Sequence, residues 1–415
     1  MCVIGLGRVG LPLALTFADH GLAVLGVDID DARLAGVAAG RMPFEETGMQ
    51  DVLDRVLPTG RLSLSSSLAD GARADHIVLT LGTPTFTHIE IDMSQIRSVL
   101  DALMSCLRPG QSLTLRSTVA PGTTEFVAGY LAKRRGFAVG TDFFVSHVPE
   151  RIAEGRFLRE IGSLPCIVGG VGEESGAAAE RLFSILGAPI VHTTPVQAEL
   201  TKIWANILRY VTFAIPNLLM MDCEQHGANV HDVIDMINRD YPRGGIASPG
   251  FTAGTCLRKD FAFSEERSSA PGMLLAVSRV NETVPLFVVQ GVKRRLGSLD
   301  GRKVAVLGLA FKGDSDDERD SLSHKLIRLL ERELADVSVH DPHVSTPNSS
   351  LASAVSGADV VIVATNHSEF SEPRTLSTIR RVAAPGCVVA DPWNALGLRE
   401  IFTEARSLDT AAVVA

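Results

Sequence analysis

The stretch Val3-Ile4-Gly5-Leu6-Gly7-Arg8-Val9-Gly10, followed by an apolar run over 11–18, decides how this chain is read. A short apolar strand leads into three glycines spaced G-x-G-x-x-G and then into a helical pattern. The first Gly permits a tight turn, the second lets a pyrophosphate approach the backbone, and the third lets helix pack on strand. The helix N-terminus then presents unpaired N–H groups and a partial positive charge to the phosphates. Asp28 stands 18 residues past Gly10, at the end of the next apolar run, where a carboxylate can take the adenosine ribose hydroxyls. An acid there repels a 2′-phosphate, so the expected cofactor is NAD rather than NADP. Arg8 argues the other way, since a nearby cation can accommodate that phosphate. A glycine loop used only for helix packing is the plainer alternative.

Working outward, runs 2–4, 22–28, 75–81, 112–117 and 143–147 are mostly apolar, as parallel strands covered on both faces should be. Helical stretches between them supply the crossovers of a doubly wound sheet. Near Pro195 the strand signals fade. Leu200, Ile203, Trp204, Ile207, Leu208 and Val211 recur at helical steps and read as one buried stripe. Strand–helix alternation returns after Gly301, with runs 303–309, 337–341, 359–364 and 387–391. These echo the first region: Gly308-Leu309-Ala310 resembles Gly5-Leu6-Gly7, and Asp341 resembles Asp28. The expected fold is α/β, two Rossmann-like doubly wound parallel-sheet domains (1–195 and 299–415) joined by a central helical domain (196–298).

Composition bounds the function. At roughly 100–200 residues per domain, 415 residues make two or three domains, each with its own core. The net charge of −9 gives no electrostatic case for nucleic acid or an anionic membrane. No run of about 18 apolar residues lacks a Gly, Pro or charge, and no signal peptide is evident, so a cytoplasmic protein is expected. The six cysteines (Cys2, Cys106, Cys166, Cys223, Cys256, Cys387) form no Cys-x-x-Cys pair, which indicates neither a disulfide framework nor a metal site.

Three further spacings carry possible chemistry. Cys256 lies in Gly254-Thr255-Cys256-Leu257-Arg258-Lys259-Asp260, after a Gly/Pro loop at 241–254. Adjacent cations lower a thiol's pKa, so a nucleophile is one reading and an inert thiol the other. Glu150 and Glu154 stand four apart. On a helix they share a face, where repulsion can raise one toward a general base's range, or they are a solvated helix start. Lys202 and Asn206 are also four apart and can present an ammonium and an amide to a developing alkoxide, or simply form a polar face.

Together these stretches resemble the UDP-glucose/GDP-mannose dehydrogenase family. The matching segments are GLGRVGLPLAL (5–15), GTP (82–84), STVAPGTT (117–124), VPERIAEG (148–155), ELTKIWANILR (199–209), GTCLRKD (254–260) and FKGDSDDERDS (311–321). The resemblance implies a four-electron oxidation of a nucleotide sugar's C6 hydroxyl to the uronate, using two NAD+ in turn. Cys256 would add to the intermediate aldehyde as a thiohemiacetal and then hold a thioester that water hydrolyses. Lys202 and Asn206 would stabilise oxyanions, Thr118 and Asp260 would position water, and Glu150 and Glu154 would share the base and water-ordering roles. Gly5, Gly7, Arg8, Val9, Gly10, Asp28, Thr83 and Thr118 would hold NAD. Glu150, Arg151, Lys202, Asn206, Gly250, Phe251, Gly254, Lys312 and Arg319 would meet the sugar nucleotide, with the 241–254 loop near the sugar.

The implied substrate is a UDP-linked N-acetylhexosamine or UDP-glucose, used in polysaccharide biosynthesis by a homodimer. The family often has Tyr where Arg8 stands and a CLPKD-type run where this chain has Cys256-Leu257-Arg258-Lys259-Asp260. A two-electron hydroxy-acid dehydrogenase and a non-catalytic nucleotide-sugar-binding protein are the competing readings.

Overall fold

A computed structural model describes residues 1–82, 94–252, 254, 257, 259–260, 264, 272–345 and 349–405. Its chain divides into two compact units, the first built on Met1–Ala205 and the second starting at Asn206.

The first unit carries eight described strands: β1 (Cys2–Ile4), β2 (Val24–Val27), β3 (Leu62–Ser65), β4 (His76–Leu79), β5 (Ser112–Leu115), β6 (Phe144–His147), β7 (Cys166–Gly170) and β8 (Ile190–Thr193). They lie in the order β3-β2-β1-β4-β5-β6-β7-β8. Successive strand residues point to opposite faces, so Val3 and Val78 pack against the helix Gly10–Asp19 while Cys2, Ile4, Ile77 and Leu79 pack under Ile96, Leu100 and Leu131. That two-sided burial is why these strands read as unbroken apolar runs.

Asn206 onward supplies a helical region and a second sheet. Among the described residues its longer helices are the remainder of Pro195–His226, then Val230–Asn238 and Met273–Leu296. The sheet runs β10 (Asp336–His340), β9 (Lys303–Leu307), β11 (Val360–Val363), β12 (Val388–Ala390) and β13 (Phe402–Glu404). Both sheets are mainly parallel. The pairs β6–β7 and β12–β13 are antiparallel. β3, β7, β8 and β13 lie outside the expected runs, and β8 is half exposed.

Part of the expected stripe on Pro195–His226 is exposed. Ile203, Ile207 and Tyr210 are buried, but Trp204 and Leu208 are 51% and 65% exposed. Apolar spacing marks a helix face without saying what covers it.

The echo between the two sheets extends to hydrogen bonds. Gly5 and Gly308 share φ near +96° and +97°, and each donates its N–H to the strand alongside, at Val27 and His340. Leu6 N–H donates to Asp28 at 2.6 Å, and Leu309 N–H donates to Asp341 at 2.6 Å. The same turn is therefore built twice, once at the end of β1 and once at the end of β9.

Candidate functional site

The glycines of the first turn divide their work sterically. A Cβ on Gly5 would lie 2.8 Å from the Thr80 carbonyl oxygen, and one on Gly10 would lie 1.8 Å from the Gly5 oxygen. A Cβ on Gly7 meets nothing within 4 Å, so Gly7 faces open space. The helix begins at Gly10 after Val9, with no side chain capping its first amides. These are the conditions for a pyrophosphate to approach bare backbone and the positive end of a helix. Buried Asp28 completes the cradle at the end of β2. The turn and Asp28 thus fit NAD.

Two cations sort themselves differently from the sequence reading. Arg33 donates to Asp28 Oδ2 at 2.9 Å and also pairs with Asp30. It is the cation beside Asp28, and its place in the first turn of the helix Asp31–Ala38 was the signal for it. Arg8 instead donates to Glu154 Oε1 at 2.9 Å and lies over the Phe44 ring.

Segment 148–153 is not helical, so Glu150 and Glu154 do not share a helix face. Glu150 turns inward to pair with Arg116 at 2.6 Å, both side chains nearly buried, and accepts the Arg151 and Ile152 N–H groups on its other oxygen. The carboxylate that organises the loop is local, which a helical pattern cannot accommodate. Arg151 reaches the Pro165 carbonyl. Next in the loop, buried Glu46 accepts the Gly155 and Phe157 amides.

Thr118 lies in the loop between β5 and the helix Thr123–Arg135. That helix has a glycine N-cap, and Glu199 serves it from elsewhere in the chain. Its carboxylate accepts the Gly122 amide and both the amide and hydroxyl of Thr124. Burial pushes the Glu199 carboxyl up, while these bonds pull it down. Sequence reasoning missed Glu199, because a cap supplied by a residue 77 positions away leaves no local spacing. Lys202 stands three residues further along the helix. His147, at the end of β6, is pushed down to about 3 by burial, with Arg116 and Lys202 adding repulsion.

In the second unit, Asn206 donates to Asp260 at 2.6 Å, both of them buried. Lys259 lies 4.0 Å from the same carboxylate, and Leu257, Lys259 and Asp260 are helical. Thr83 and Cys256 lie outside the described residues. Of the other cysteines, Cys2 and Cys387 are pushed up to about 12 by burial, so neither is a thiolate at neutral pH.

The residues expected to shape the sugar site are deeper than their loop-like sequence suggests. Gly250 donates its N–H to Asn217 and packs so closely on Trp393 that a Cβ would fall 2.2 Å from the indole, and Phe251 joins the core of its unit. Gly254, at φ +98°, faces the Phe311 ring. Lys312, the residue after Phe311, is half-buried, and Arg319 is exposed, its guanidinium held by Asp317 through two bonds.

Asp341 repeats Asp28 but meets a different neighbour. Fully buried His367 hydrogen-bonds it at 3.1 Å, where Asp28 has Arg33. Bonds from His367 and from the Leu309 and Ala310 amides outweigh burial and hold the Asp341 carboxyl below its usual range. Asp314, His343, His367 and Glu369 group donor atoms within 4.8 Å, a set that can in principle hold a metal ion. Both ring nitrogens of His367 are already engaged, by Asp341 and by the Asp314 amide. The cluster is accounted for as hydrogen bonding.

Comparison with known proteins finds three matching stretches of the chain. Residues 1–187 match the NAD binding domain of the UDP-glucose/GDP-mannose dehydrogenase family, residues 196–283 its central domain, and residues 305–397 its UDP binding domain. The UDP-N-acetyl-D-mannosamine dehydrogenase of Pyrococcus horikoshii is 32% identical over 377 residues, 89% of this chain and 90% of that one. The solved structure of the Pyrococcus horikoshii UDP-D-ManNAc dehydrogenase superposes with TM-score 0.88 at 30% identity, covering 95% and 96% of the two chains. That of the Staphylococcus aureus UDP-N-acetyl-mannosamine dehydrogenase gives 0.86 at 32%, covering 95% and 94%. With the glycine turn and Asp28 in place to receive NAD, the chain belongs to the UDP-glucose/GDP-mannose dehydrogenase family and is an NAD-dependent oxidoreductase.

Proposed function

We propose that this protein oxidises the C6 hydroxyl of a UDP-N-acetylmannosamine-type sugar nucleotide to the carboxylate. The observation that carries the reading is the similarity, over 89% of the chain, to an enzyme named for that substrate. The net reaction is R–CH2OH + 2 NAD+ + H2O → R–COO− + 2 NADH + 3 H+. NAD, when bound, accepts the hydride from C6.

The chain's residues then take these roles. Lys202 and Asn206 donate hydrogen bonds to the oxygen as it gains negative charge. Cys256 adds to the aldehyde carbon, making it tetrahedral so that it again has a hydride to lose, and keeps the intermediate attached. Asp260 and Thr118 order the water that hydrolyses the thioester. Glu154 rather than Glu150 is the carboxylate that accepts a proton, because Glu150 is committed to Arg116 and two amides. Gly250, Phe251 and Gly254 shape the sugar site from beneath, and Lys312 and Arg319 meet the diphosphate.

The working form is a cytoplasmic homodimer. Trp204, Leu208, Ile215 and Leu218 lie on one face of Pro195–His226 and are each more than half exposed, an apolar surface that a second copy would cover. Among the described residues no helix is long and apolar enough to cross a membrane.

The test is a panel of UDP- and GDP-sugars assayed for NADH. Two NADH per UDP-N-acetylmannosamine is the expected result. One NADH per substrate refutes the four-electron reading, and preference for another sugar refutes the substrate.

A further inference from the structure

Arg8 occupies the variable position just after Gly7, the glycine that faces open space. It donates to Glu154 at 2.9 Å and rests on Phe44, with both charged side chains about one-fifth exposed. The partners on either side are fixed independently. Glu46 grips the Gly155 and Phe157 amides next to Glu154, and Phe44 packs against the core of the first unit. Glu154 therefore sits on a segment held in place without Arg8, while Arg8 is a long, jointed side chain rooted in the turn that receives a doubly charged pyrophosphate. A guanidinium prefers a bidentate phosphate partner to a single carboxylate oxygen when both are within reach.

We propose that Glu154 and the coenzyme's pyrophosphate compete for the Arg8 guanidinium, so that filling the dinucleotide site takes the Arg8 hydrogen bond away from Glu154. In the unliganded protein Arg8 neutralises Glu154 and holds it against the turn. With pyrophosphate bound, Arg8 turns to it and its bond to Glu154 Oε1 is lost. Arg8 is in this sense a positioning residue that reports coenzyme occupancy to a carboxylate. What that carboxylate does for turnover rests on the proposed function, but the exchange itself does not.

The consequence runs against ordinary expectation for an active-site substitution. Removing the competing charge by Glu154→Gln should tighten NAD binding, by about fivefold if the pair has the strength usual for partly exposed ion pairs. Binding is read by isothermal titration with NAD and with ADP-ribose, which carries the pyrophosphate without nicotinamide, and with adenosine as the phosphate-free control. The gain should appear for NAD and ADP-ribose, be absent for adenosine, and vanish in an Arg8→Met/Glu154→Gln double variant. Arg8→Lys/Glu154→Gln should retain part of it. Unchanged or weaker binding by a folded Glu154→Gln protein overturns the proposal, as does a gain that survives in the Arg8→Met background. Since no sugar enters the experiment, a wrong substrate assignment leaves its outcome unaffected.

Discussion

Asn206 and Asp260, 54 residues apart in the chain, meet through a 2.6 Å hydrogen bond from the Asn206 amide to the Asp260 carboxylate, and both are buried. Asp260 is almost wholly buried, so this amide is part of what makes its charge tolerable. Replacing Asn206 by Leu should cost about 2–3 kcal/mol of stability, read by urea unfolding. Asn206→Asp sets a second acid against the first. Its stability loss should be largest at neutral pH and shrink below pH 5, where one of the pair can protonate.

Glu150 and Glu154 should separate by assay. Glu150→Gln leaves the Arg116 guanidinium buried without its counter-charge, and the expected cost is about 3–5 kcal/mol, seen as a lower thermal midpoint. Glu154→Gln should leave the midpoint within a few degrees and instead remove a limb from the pH profile of turnover. Loss of the acidic limb in Glu150→Gln alone would reverse the assignment.

Gly7 and Gly10 should respond to alanine in opposite ways. A methyl at Gly10 meets the Gly5 carbonyl at 1.8 Å, backbone against backbone, so Gly10→Ala should fold poorly. Gly7→Ala has open space for its methyl and should unfold within about 1 kcal/mol of the parent. That methyl occupies the approach to the turn, so NAD affinity should fall roughly tenfold or more. Thermal unfolding and NAD titration on the same preparations distinguish the two.

His147 gives stability a pH dependence. Its folded-state value is near 3, against about 6.5 in an unfolded chain. Below pH 6.5 the unfolded chain takes up a proton that the folded one refuses. Stability from this group is therefore full above pH 6.5 and is lost as pH falls toward 3, by up to about 1.4 kcal/mol per unit. Urea unfolding at pH 7, 6 and 5 should show that slope, and His147→Gln should flatten it. Equal slopes in the two proteins would mean that His147 is not the source.

Much of this molecule was legible in its sequence. The glycine spacing, Asp28 and the alternating apolar runs dictated a dinucleotide-binding α/β sheet, because turn sterics and strand burial act within a few residues. The repeat of that turn at Gly308 and Asp341 was readable for the same reason. Folding decided what depends on partners distant in sequence. It turned Glu150 inward to Arg116, aimed Arg8 at Glu154, and sent Glu199 to cap a helix 77 residues earlier. It also left half of an apolar stripe uncovered at Trp204 and Leu208. Spacing specifies which face a side chain occupies. Which charge, amide or solvent it meets there is set by what the rest of the chain brings alongside, and a buried carboxylate takes whichever donors arrive, since burial without them costs more than any local preference.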